Sequence, residues 1–158
     1  METKPRLLYI DDEVDNLTVF KRTFNKEFDV TTAISAKDAL ALLEDGEDFC
    51  IIVSDQKMPD ITGAQFFQKI QADKATRILL TGYADMQAII DAVNQGRIYF
   101  YCTKPWNREE LKLTLAKALE YFHLSSKGRM LDKLATYVKE MANLNKSSLE
   151  VIDQINKS

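Results

Sequence analysis

Phe49-Cys50-Ile51-Ile52-Val53-Ser54-Asp55-Gln56-Lys57-Met58-Pro59-Asp60 is an apolar run that stops abruptly at a carboxylate. Its first five residues are apolar in succession and β-branched at Ile51, Ile52 and Val53. That fits a central parallel strand buried on both faces, since a half-exposed strand would alternate. Asp55 then lies at the strand's carboxyl end. In open parallel sheets ligands bind at that edge, because the loops there splay apart and the chain leaves the core carrying its polar groups. Asp55 is therefore the first candidate for chemistry.

Toward the N-terminus, Leu7-Leu8-Tyr9-Ile10 repeats the arrangement and ends at Asp11-Asp12-Glu13. Val14, Leu17, Phe20 and Phe24 then form an apolar stripe at helical spacing up to about Lys26, with Asp12 or Asp15 as its predicted cap. Phe28 to Ala33 reads as a second strand. Ser35, with Asp38 three residues on, predicts the start of a helix through Ala36, Ala39, Leu40 and Leu43 that ends near Gly46. Beyond Asp55, Phe66, Phe67 and Ile70 mark a third helix from Ala64 to Ala72, after a turn at Thr62-Gly63. Arg77 to Leu80 is a short buried strand ending at Thr81-Gly82. Ala84 to Gln95 predicts a fourth helix with Met86, Ile89, Ile90 and Val93 inward, closed by Gly96. Ile98 to Cys102 is the last strand and leads into Thr103-Lys104-Pro105. Asn107 caps a fifth helix whose first turn is acidic at Glu109 and Glu110, as the helix dipole favours. Strands alternating with helices at this spacing predict an α/β fold, a five-stranded doubly wound parallel sheet flanked by five helices.

Composition narrows the function classes. The chain has 158 residues, 46% hydrophobic and 28% charged, enough for one core-bearing domain of roughly 100–150 residues plus an appendage. A net charge of −3 gives no general attraction to phosphate backbones, so direct nucleic-acid binding is not expected. Met1 to Arg6 lacks a signal-peptide core, and no segment approaches the roughly 18 apolar residues of a membrane span. Cys50 and Cys102 sit inside apolar runs, too far apart for a thiol redox motif, and read as buried small hydrophobes of a reduced, cytoplasmic protein.

The strands present Asp11, Asp12, Asp55, Thr81 and Lys104 at their carboxyl ends. Moving a phosphoryl group onto a carboxylate needs an in-line nucleophile, a divalent cation for the equatorial oxygens and fixed donors for the remaining charge. Asp55 supplies the nucleophile. Asp11 and Asp12 are hard oxygen ligands for Mg2+ or Mn2+, with Asp55 itself and the backbone carbonyl of Lys57 completing the set. Lys104 is the ammonium for the acyl phosphate, and Thr81 the hydroxyl for one of its oxygens. Three neighbouring carboxylates also repel, which favours taking up a cation.

In this combination the acidic pair, Asp55 followed by Met58-Pro59, Thr81-Gly82 and Lys104-Pro105, the chain resembles the receiver domains of two-component response regulators over residues 5 to about 122. The resemblance implies a flavodoxin-like fold of the chemotaxis-receiver type. It implies a phosphate supplied by a histidine kinase or phosphotransfer protein, with Asp55 as phosphoacceptor, Asp11 and Asp12 on the metal, and Thr81 and Lys104 reading the phosphate out. It also implies that an aromatic three residues before the Lys, here Tyr101, swings with Thr81, changing the face of the fourth helix and fifth strand. Ser54–Pro59, Thr81–Asp85 and Lys104–Trp106 are similar to receivers joined to cyclic-nucleotide, cyclic-dinucleotide or kinase output domains. Trp106 is expected to pack against the last helix, and His123, the lone histidine, to have no part in the site.

Residues 1–124 are thus the expected receiver and 125–158 a helical extension. Ser125-Ser126-Lys127-Gly128 weakens the helix without a proline to end it. Leu131, Leu134, Val138, Met141, Asn145, Ser148, Ile152 and Ile155 then follow steps of three and four, the seam of a coiled coil. This predicts a homodimer or a signalling helix leading to an output domain in a longer protein. Two other classes compete. A haloacid-dehalogenase-type phosphatase also uses an aspartyl phosphate, but its Asp-x-Asp pair is missing because residue 13 is Glu13. An unphosphorylated adaptor has no need of the acidic residues, Thr81 and Lys104.

Overall fold

Five parallel strands pair in the order β2-β1-β3-β4-β5, with β1 at Arg6–Ile10, β2 at Asp29–Ala33, β3 at Ile51–Asp55, β4 at Thr76–Thr81 and β5 at Phe100–Thr103. The computed structural model describes residues 3–70, 74–82, 87, 90, 91, 94 and 100–157. Every residue of β3 and β4 is buried, as their near-continuous apolar runs require of central parallel strands. The register sets Ile10 against Ser54, Asp55 against Leu80 and Thr81 against Thr103, so all the strands deliver their carboxyl ends to one edge.

Alternation divides the apolar side chains of each strand between two faces. Leu7, Tyr9, Val30, Ile51, Val53, Ile78 and Leu80 meet Leu17, Phe20 and Phe24 of α1 (Val14–Phe24) and Leu111, Leu115 and Ala118 of the long C-terminal helix (Arg108–Lys157). Leu8, Ile10, Ala33, Ile52 and Leu79 meet Ala36 and Ala39 of α2 (Ala36–Glu44) and Phe66 and Phe67 of α3 (Gly63–Lys69). This is the predicted doubly wound arrangement. Each fully buried Leu, Ile or Phe contributes about 1.5–3 kcal/mol.

The helix ends show where local chemistry prevails and where it does not. Ser35 Oγ accepts from the Asp38 N–H (3.1 Å), as expected. Asn107 Oδ1 accepts from Glu109 (2.8 Å) and Glu110 (3.2 Å). Neither Asp12 nor Asp15 caps α1: its N-cap is Glu13, whose side chain makes no cap bond and whose N–H donates to Asp11 Oδ1 (2.9 Å). α3 opens with a reciprocal Thr62–Gln65 capping box and ends at Lys69, before the predicted Ala72, which lies outside the described residues. At its far end the buried Arg77 guanidinium donates to the carbonyls of Phe67 (2.7 Å) and Ile70 (3.2 Å), closing a helix terminus from β4.

Of the predicted fourth helix, Gln87, Ile90, Asp91 and Asn94 are helical, while Met86, Ile89, Val93 and Gly96 lie outside the described residues. Ile90 was expected inward and is 46% exposed. Ile98 and Tyr99, expected in the last strand, also lie outside the described residues. Trp106 joins the core from the α1 side, its ring 5.8 Å from Phe24 and 6.2 Å from Phe20. Cys50 and Cys102 are half-buried free thiols, pushed up by burial. The helix runs unbroken through Ser125–Gly128, and the chain divides into two contact units, Met1–Phe122 and His123–Ser158. No helix among the described residues is long and apolar enough to cross a membrane.

Among the described glycines, Gly63 is the one with no room for a side chain. A Cβ there would meet the Asp55 carbonyl oxygen at 2.5 Å and Leu79 Cδ1 at 2.7 Å. Gly63→Ala is therefore expected to lower unfolding free energy by about 1–3 kcal/mol in urea titrations. An unchanged midpoint would show that α3 moves freely over the end of β3.

Candidate functional site

Asp11, Asp12 and Asp55 each offer a carboxylate oxygen, and these oxygens all lie within 4.8 Å of one another. Two of the three groups are withdrawn from water: Asp11 is 0% and Asp55 6% exposed. Buried carboxylates need compensating donors or cations. Lys104 Nζ provides one, 3.0 Å from Asp55 Oδ2 and 3.5 Å from Asp11 Oδ2. The loop from β5 that carries it is held by its own backbone, the Lys104 N–H donating to the Thr81 carbonyl (2.8 Å), and the Lys104–Pro105 peptide is cis.

Burial pushes the Asp55 carboxyl up, and the Lys104 hydrogen bond and charge and the Lys57 backbone N–H pull back only part of that rise. Burial alone would lower Lys104. The hydrogen bond and charge of Asp55, with the Asp11 charge behind them, outweigh it and hold the ammonium protonated above its ordinary value. The three carboxylates thus have a partial, built-in counter-charge. The donor set is all hard oxygen, the chemistry that Mg2+ takes, and the mutual closeness of the acids leaves negative charge for such a cation to neutralise.

Of the other residues expected here, Thr81 is buried at the end of β4, one position beyond Leu80, the register partner of Asp55, and its hydroxyl donates to the Gly82 carbonyl (3.2 Å). Tyr101 stands beside Leu79 in the β4–β5 register and is 46% exposed, whereas its neighbour Phe100 turns to the core and meets Tyr121 edge-on. Strand alternation thus separates the two adjacent aromatics. Lys57 lies in the loop beyond β3, with its N–H toward Asp55.

Three residues bear on the site that the motif reading left out. Tyr9 Oη donates to Asp11 Oδ2 at 2.7 Å, and Asn16 Nδ2 to the same oxygen at 3.2 Å. Burial, then the bond to Asp11, drive the Tyr9 phenol well above its ordinary range, so it keeps its proton and is the donor. Gln56 ties α3 to the end of β3. Its backbone carbonyl accepts from Gly63 and its side-chain Oε1 from Ala64, both at 3.0 Å. Tyr9 carried a legible signal, since residues two apart on a strand share a face. Asn16 and Gln56 carried none.

Known proteins with the same pattern fall into one family. The family model of the response regulator receiver domain matches residues 7–116. The hydrogenase transcriptional regulatory protein HoxA of Cupriavidus necator is 37% identical over 116 residues, 72% of this chain and 24% of its own length. The C4-dicarboxylate transport transcriptional regulatory protein DctD of Rhizobium meliloti is 31% identical over 144 residues, 89% of this chain and 31% of its own. The chain thus spans about a quarter to a third of these curated relatives. Among solved structures, an adenylate cyclase from Rhodopirellula baltica superposes with a TM-score of 0.79 at 28% identity, covering 83% of this chain and 98% of that one. The signal receiver domain of an HD domain-containing protein from Pseudomonas fluorescens gives 0.71 at 30%, covering 80% and 95%. With a family model across 7–116 and the sheet and acidic edge in place, the chain belongs to the response regulator receiver domain family.

Proposed function

We propose that this receiver is a switch set by phosphorylation of Asp55. The observation that carries the reading is the Lys104 ammonium 3.0 Å from a buried Asp55 carboxylate, with two more carboxylates beside it. In the transfer, an Asp55 oxygen attacks phosphorus, the P–N bond to a phosphohistidine of a histidine kinase or phosphotransfer protein breaks, and the imidazole nitrogen keeps the electron pair. Asp11, Asp12, Asp55 and the Lys57 carbonyl would hold Mg2+, which supplies charge neutralisation to the phosphoryl oxygens when bound. Lys104, freed from the carboxylate pair, stays charged and turns to the acyl phosphate, and the Thr81 hydroxyl bonds another of its oxygens. Their movement pulls on one another through the Lys104 N–H to Thr81 carbonyl bond. Tyr101, exposed on β5, is the side chain that reports it to a partner or to an output domain of a longer protein.

The helix beyond Phe122 pairs with a second copy. Leu131, Leu134, Val138, Met141, Ile152 and Ile155 of the seam are all exposed, and so are Met130, Tyr137, Leu144 and Val151, which recur every seven residues beside it. A lone helix gains nothing from such a surface, and helices in water draw most of their stability from packing.

Four outcomes are expected. Acetyl phosphate with Mg2+ adds one phosphoryl group by intact mass, and Asp55→Asn adds none; an adduct that survives Asp55→Asn would sink the acceptor. Lys104→Gln slows that phosphorylation roughly 100-fold, the effect of deleting one fixed donor; an unchanged rate would remove Lys104 from the chemistry. The third concerns pH. A carboxyl raised in the folded state binds its proton more tightly there, so its contribution is favourable at low pH and lost as pH climbs through the folded pKa. Metal-free Asp55→Asn is therefore expected to melt higher than the native chain at pH 7, with the gap narrowing as pH falls through the raised folded value and closed below the ordinary carboxylate range; a gap of opposite sign would refute the cost of the buried charge. Finally, sedimentation is expected to show association that Leu134→Glu with Met141→Glu abolishes, whereas a monomer at high concentration, phosphorylated or not, would remove the tail's self-pairing.

A further inference from the structure

We infer that Tyr9 is a positioning residue of the acidic site, its phenolic O–H fixing the Asp11 carboxylate in the orientation that a divalent cation needs. The inference rests on the reading of that site as a Mg2+ and phosphoryl site. Tyr9 and Asp11 are two apart at the end of β1 and share a face, so the phenol reaches the carboxylate without any distortion of the strand. The contact is 2.7 Å, in the range of a charge-assisted hydrogen bond and the shortest that Asp11 receives.

The remaining contacts show why the bond matters. Asp11 is 0% exposed, so its orientation is set by protein groups. Oδ1 takes the Glu13 N–H at 2.9 Å. Oδ2 takes Tyr9 at 2.7 Å and Asn16 at 3.2 Å, with Lys104 Nζ at 3.5 Å. Asn16 is half-exposed on α1, and Lys104 leans to Asp55; of the donors on Oδ2 the phenol is the buried one. Its ring is wholly buried and stacked on Phe20, centroids 4.0 Å apart and planes 18° from parallel. A purely structural Tyr9 would need the ring alone, and phenylalanine would serve as well. Groups that orient metal ligands are worth about 10–100-fold in metal affinity.

The test is a double-mutant cycle on Mg2+ affinity by calorimetry, using the native chain, Tyr9→Phe, Asp11→Asn and the double variant. Tyr9→Phe keeps the ring and its stack. It is expected to weaken Mg2+ binding about tenfold when Asp11 is present and less than about twofold in the Asp11→Asn background. If Tyr9→Phe is too unstable for calorimetry, the shift of its urea midpoint with Mg2+ reads the same affinity, because the ion stabilises whatever folded form binds it. Native protein that binds Mg2+ while Tyr9→Phe binds it equally well, or loses the same factor in both backgrounds, overturns the role of Tyr9 and leaves the site intact. Native protein that binds no Mg2+ overturns the metal site, and this inference with it.

Discussion

The fold turns on the burial of charge at the carboxyl edge of the sheet. Asp11, the residue after β1, and Asp55, the last of the adjacent β3, have almost no contact with water, and neither would be tolerated there without a counter-charge. Lys104 must be brought from beyond β5 to meet them. Strand order does this, because β5 pairs with β4, β4 with β3, and the Lys104 N–H closes on the Thr81 carbonyl, delivering the ammonium to Asp55. The same edge is crowded from the other side. α3 begins against the Asp55 carbonyl at a residue that has no room for a side chain, and Gln56 holds it there through two hydrogen bonds. Sheet topology and site geometry are one arrangement.

Charge compensation in that cleft is incomplete. Lys104 is shared between two carboxylates, and Asp55 still sits above its ordinary pKa because burial costs more than the ammonium returns. A cleft that is neutral and satisfied has no use for a cation or a phosphoryl group. One with neighbouring carboxylates and firmly oriented oxygens favours taking up a cation. Asp11 is held by Glu13, Tyr9 and Asn16, whereas Lys104 is partly exposed.

Much of this was readable in the chain. The abrupt change from Val53 to Asp55, and from Ile10 to Asp11, marks strand ends because the apolar run of a parallel strand buried on both faces gives way to polar groups at the sheet's carboxyl edge. Ser35 and Asn107 announce helix starts because their side chains reach backbone N–H groups two or three residues away. Where a distant group competes, local signals mislead. α1 has acidic residues at the right place for a cap, but it starts at Glu13 without a side-chain cap, and the Glu13 N–H is held by Asp11 from the end of the sheet. α3 closes on Arg77, eight residues past its own end, and Trp106 packs onto α1, which precedes it by some eighty residues.

The order of strands and helices, the acidic and basic groups at the strand ends and the apolar stripe of the tail were determined by the sequence alone, because each depends on periodicity or on neighbours within about one turn. Tertiary structure decided which carboxylate Lys104 favours and which aromatic of Phe100 and Tyr101 faces the core. Those outcomes depend on distances between strands and helices far apart in the chain, which sequence spacing does not encode.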